Sequence, residues 1–109
     1  MLDHLNQAIR DSDSDAVQQA IFDLGLIRGE DGLVPDDITF GIIDALKAPD
    51  MSRSPLAGHL LNHFEFNSDG LSAKAKDRCI GFLRAWGDSF SHAHAQQVVA
   101  ELRHGRYLA

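Results

Sequence analysis

The stretch Leu5-Asn6-Gln7-Ala8-Ile9-Arg10-Asp11-Ser12-Asp13-Ser14-Asp15-Ala16-Val17-Gln18-Gln19-Ala20-Ile21-Phe22-Asp23-Leu24-Gly25 decides the fold class. Leu5, Ala8 and Ile9 stand at i, i+3 and i+4. A run of aspartates and serines interrupts them. Val17, Ala20, Ile21 and Leu24 then resume at i, i+3, i+4 and i+7. Two apolar stripes of helical period, separated by one polar turn, describe a helical hairpin.

The same period continues outward. Leu2 extends the first stripe, and Ile38, Ile42, Ala45 and Leu46, widened by Phe40 and Ile43, form a third. Leu56, Leu60, Leu61 and Phe64 make a fourth. Ala75, Cys79, Phe82, Leu83 and Trp86 make a fifth, and Ala95, Val98, Val99 and Leu102 a sixth. No segment alternates at period two, so the chain is expected to be all-α. Ser14, Ser72 and Ser91 are placed as helix caps, and Ser54-Pro55 gives a cap with proline at the first helical position. Gly25, Gly87 and Gly105 follow apolar stripes, where left-handed terminators are expected. The connection Gly25 to Val34 is the longest, and the expected site of mobility.

Ile9, Leu46 and Leu83 close the stripes of the odd helices, 37 residues apart each time. Leu24, Phe64 and Leu102 do so for the even helices, 40 and 38 apart. Residues 1–109 therefore read as one domain of three antiparallel hairpins, at about 1–27, 34–67 and 71–109. They stack as a short α-solenoid; an irregular six-helix bundle is the alternative.

The first hairpin resembles a HEAT-type (armadillo-like) α-helical repeat. There an apolar helix ends in a short acidic turn followed by a Val-x2-Ala-x3-Leu-Gly helix, as in Val17, Ala20, Leu24 and Gly25. Ala48-Pro49-Asp50 and Leu83-x3-Gly87-Asp88 echo the turn in the other hairpins. Hairpin one lacks the usual turn proline, and Gln18 stands where an arginine is common. The resemblance implies a stacked αα module that binds other proteins.

Charge is held unevenly. Residues 1–50 sum to −8 and residues 51–109 to +2, for a formal net charge of −6. An acidic first half argues against nucleic acid or an anionic membrane as its partner. Cys79 is the only cysteine, which excludes an internal disulfide or a CxxC metal site. No apolar run is long enough to span a membrane, and Met1-Leu2-Asp3-His4 does not open a signal peptide. A cytoplasmic setting is expected.

Chemistry-bearing patterns are sparse. Asp11, Asp13 and Asp15 open like a calcium loop, but Ala16 and Phe22 occupy the sixth and twelfth places, where glycine and glutamate are needed. The run from Glu65 ends on Lys76 at its twelfth place. His59 and His63 have the i, i+4 spacing that lets two imidazoles share zinc, and they carry the alternative reading, a metal-binding enzyme or sensor. No glutamate of an HExxH motif accompanies them. Cys79 lies in an apolar stripe, and no GxSxG elbow, Walker loop or dinucleotide fingerprint is present. Lys74, Lys76, Arg78 and Arg84 gather on helix five with no aromatic residue interleaved, and read as a solvated face.

The expected function is a small acidic protein-binding module with no catalysis, cofactor or metal. It would neutralise a basic protein as immunity proteins and antitoxins do. The candidate partner-binding residues are Glu30, Asp31, Asp36 and Asp37 on one rim, and Asp11, Asp13 and Asp15 on the other.

Overall fold

The computed structural model describes residues 2–105. Among the described residues six α-helices appear where the apolar stripes lie: α1 Asp3–Arg10, α2 Ser14–Gly25, α3 Asp36–Leu46, α4 Leu56–Phe66, α5 Ala73–Trp86 and α6 Ala93–His104. Single 3-10 turns precede α4, α5 and α6, and no strand occurs among the described residues. Met1 and residues 106–109, the expected ends of the first and third hairpins, lie outside the described residues.

Helix α4 is the centre. It packs against α2 on one side and α6 on the other, and α3 lies across it and next to α5. Leu56, Ala57, Gly58, Leu60, Leu61, Asn62, His63 and Phe64 are all buried, so α4 is enclosed on most of its circumference. A helix can be buried all round only if it is apolar all round. Asn62 and His63 break that rule and must find partners inside.

His63 finds them through four linked groups. Nε2 lies 3.0 Å from the Thr39 hydroxyl on α3. The Asn67 amide nitrogen lies 3.3 Å from Nδ1 and donates to the His63 carbonyl at 2.9 Å. The Arg28 guanidinium donates to the Asn67 amide oxygen at 3.2 Å and to the Gly70 carbonyl at 3.3 Å. Arginine only donates, so it fixes the amide orientation, and the amide nitrogen then faces Nδ1 as a donor. Nδ1 must accept, which leaves the proton on Nε2 to be given to Thr39. Burial, and then the Arg28 charge, push the His63 pKa down to about 4.

The glycines make room for this relay rather than ending helices. None of Gly25, Gly87 and Gly105 is left-handed, contrary to expectation; Ser12, Asp50 and Gly32 hold the positive φ values. A Cβ on Gly25 would strike the Asn67 side chain, and one on Gly70 the Arg28 guanidinium. Over Gly87 lies Arg103, which reaches back to the Leu83 carbonyl (2.8 Å) and Asp88 (2.7 Å).

Two caps differ from expectation by one residue. Asp13, not Ser14, caps α2 by accepting from the Ala16 amide at 3.1 Å; a carboxylate also answers the helix dipole. His92 rather than Ser91 caps α6, its Nδ1 accepting from the His94 amide at 3.4 Å, while the Ser91 amide donates to the Ser52 carbonyl at 3.0 Å. Ser72 caps α5, and Ser54 accepts from the Leu56 amide at 3.1 Å, as expected.

The stripes face the core as read, with Leu2, Ile9, Ala20, Phe40 and Ala45 only partly buried. Trp86, expected in the core, is 36% exposed. Val34, Met51, Leu71 and Phe90, all from connections, enter the core. Cys79 is buried, and burial pushes its thiol up to about 12, so it behaves as a small hydrophobe.

A pH prediction follows from His63. Its folded value lies below the unfolded one, so the ring is neutral when folded and gains a proton on unfolding. Its contribution is complete above about pH 6.5 and is lost as pH falls toward 4. Denaturant titrations across that window should show a loss on the order of 3 kcal/mol that His63→Gln does not share. Thr39→Val should cost about 1–3 kcal/mol at neutral pH by leaving Nε2 unpaired. Parallel pH profiles for native and His63→Gln proteins would contradict the assignment.

Candidate functional site

The connection from α2 to α3 is built, not slack. The Gly29 amide bonds the Leu33 carbonyl at 2.8 Å, and Gly32, at φ +78°, returns its amide to Gly29. Asp31 accepts from the Leu33 amide at 3.0 Å. Val34 then donates to the Gly70 carbonyl at 2.8 Å, beside the Arg28 contact. The loop is thereby pinned to the α4–α5 connection at two points.

This fold brings Glu30, Asp31, Asp36 and Asp37 around one open depression of about 580 Å³, with Ser72 at its edge. Two of the four also serve the fold: Asp31 closes the turn, and Asp36 accepts from the Ser72 hydroxyl at 2.6 Å. Glu30 and Asp37 are exposed, and no side-chain hydrogen bond holds them among the described residues. Among the described residues none of the four forms an ion pair.

Asp11, Asp13 and Asp15 lie at the other end of α2, roughly 16–18 Å away along its twelve residues. Asp13 is the cap, and Asp11 accepts from Gln7 at 3.0 Å. Asp15 lies near enough to His59 to raise its pKa. The acids are thus divided, and the second group works for the helix end.

An apolar surface joins the first group. Phe22, Leu26 and Phe66 are 57%, 65% and 62% exposed. They line a single hollow of about 430 Å³, floored by Ile21 and Gly25 and edged by Arg28. Only Gly29 and its neighbours separate it from Glu30 along the chain. Sequence periodicity could not find these residues. Phe22 falls just off the α2 stripe and Phe66 at the last position of α4, where a helical pattern marks them as outward but not as adjacent.

His59 and His63 do not converge. Both His63 nitrogens are spent in the relay, while His59 Nε2 meets the Ser14 hydroxyl at 2.9 Å on α2. Burial and His94, whose ring centre is 5.8 Å away, lower the His59 pKa against the pull of Asp15. The i, i+4 pair therefore turns to different neighbours. Among the described residues no three His, Cys, Asp or Glu side chains gather as metal ligands. Along the α4–α6 seam, burial and the facing Glu101 carboxylate raise Glu65 well above the usual carboxylate range.

Comparison with protein-family models, curated proteins and solved structures finds no match for this chain. No helix among the described residues is long and apolar enough to cross a membrane.

The pinning of the loop is open to test. Arg28→Ala should retain the helical circular-dichroism signal. The Val34 amide should exchange with solvent about tenfold faster, matching loss of hydrogen bonds from a charged donor. An unchanged exchange rate would show that the loop stands without Arg28.

Proposed function

We propose that this chain is a protein-binding module without catalysis, whose partner offers a basic surface with apolar anchors. Its hairpins are read as a short HEAT-type stack. Support for the stack lies in α2, α4 and α6 running side by side with α4 between, and in α3 adjoining α5. Each hairpin then adds one helix to each of two rows.

One juxtaposition carries the functional reading. Phe22, Leu26 and Phe66 expose their rings and branch beside a depression lined by Glu30, Asp31, Asp36 and Asp37. Exposed aromatic side chains in a hollow are the usual anchors of an interface, and charge at the rim sets approach and selectivity. The net charge of −6 extends the attraction beyond contact range. Such a module could silence a cationic protein in the manner of an immunity protein or antitoxin.

Glu30 and Asp37 are the right residues to reverse, because they are exposed and among the described residues form no ion pair. With the protein that co-purifies, Glu30→Lys with Asp37→Lys should slow association about tenfold and flatten its salt dependence. Phe22→Ser with Phe66→Ser should leave association intact and speed dissociation. An acidic partner, or an association rate indifferent to both charges and salt, would refute the reading.

A further inference from the structure

A further depression lies elsewhere, between α3 and α5. It measures about 660 Å³. Its apolar lining comes from Ile43, Phe82 and Trp86, and its charged lining includes Lys47, Lys74 and Arg78 against the single carboxylate of Asp77. On a chain of net charge −6 this is a local reversal of sign. Among the described residues none of the three cations forms an ion pair.

Gly81 points to an occupant. Helical glycines Gly25, Gly41 and Gly58 each lie under a side chain: Asn67, Leu2 and His94. Above Gly81 nothing stands within 4 Å, although it lies in the interior of α5, where glycine weakens a helix. Its missing side chain keeps the groove open.

We propose that this groove docks an acidic segment of a second protein, carboxylates on Lys47, Lys74 and Arg78, and an aliphatic side chain over Gly81 against Trp86. Charge complementarity selects the occupant. The rings argue for a peptide over single-stranded nucleic acid, which needs free aromatic faces to stack on. Arg78 and Lys74 already cover Phe40, at 4.6 and 5.7 Å from its centre. Trp86 already stacks on Phe82, centres 6.3 Å apart and planes 14° from parallel. This surface is separate from the Phe22 hollow, so the inference stands whether or not that reading does.

Trp86 is the only tryptophan and reports on the groove directly. The probe is a synthetic amphipathic helix of leucine and glutamate, compared with its leucine–lysine counterpart and with oligothymidylate. The leucine–glutamate peptide should produce a saturable blue shift of Trp86 emission, and Lys74→Glu with Arg78→Glu should abolish it. Gly81→Leu should weaken binding by at least about tenfold. A Cβ at position 81 meets nothing within 4 Å and leucine is a better helix former than glycine, so an unchanged circular-dichroism melt separates loss of binding from loss of folding. No saturable shift, equal affinity for the lysine peptide, tighter binding of oligothymidylate, or unchanged affinity in Gly81→Leu would each overturn the proposal.

Discussion

The structure is arranged around a histidine that burial keeps neutral at pH 7. His63 sits in the middle helix of the molecule, and its ring is fully enclosed. An imidazole in that position costs free energy unless both nitrogens are paired. The chain pairs them with Thr39 from α3 on one side and Asn67 on the other, and Arg28 reaches in from the α2–α3 loop to hold Asn67. Three segments, the α2–α3 loop, α3 and the end of α4, are thereby put in register by hydrogen bonds with direction, which apolar packing alone does not supply. Gly25 and Gly70 are glycine because this relay occupies the space a Cβ would take.

The relay also sets out the surface. Arg28 pins the loop whose one side carries Leu26 and whose other carries Glu30 and Asp31. Along α3 the acids Asp36 and Asp37 lie in the first turn and Lys47 just past the last, the order that a helix dipole favours. The acidic depression and the basic groove are therefore two ends of one electrostatic gradient, partly dictated by helix stability. What folding does not dictate is the exposure of Phe22, Leu26 and Phe66 or the vacancy over Gly81. Those are the features that give the two proposed interfaces their content.

Helix positions were legible in the sequence because each stripe is a property of one contiguous segment, and burial follows period. All-α class and six helices emerge from Leu5–Gly25 and its successors in that way. Features that depend on two segments were not legible. Phe40 sits under Arg78 and Lys74 of α5, so a helix face that looked bare of aromatics borrows one from its neighbour. His63 matched a metal-ligand spacing, yet Thr39 and Asn67 decide what its nitrogens do. Trp86 fits the α5 stripe by period but lies at the helix end, where it stacks on Phe82 at the edge of the core and stays 36% exposed. Asp13 displaced Ser14 as cap by a single residue, a shift that spacing alone does not resolve.

The charge and tautomer of His63 are the most direct test, read by long-range proton–nitrogen NMR correlations of its ring. The relay predicts a neutral ring with its proton on Nε2 and Nδ1 accepting, unchanged as pH falls from 7 to about 5. A proton on Nδ1, or a ring that charges near pH 6.5 while the protein stays folded, would contradict it.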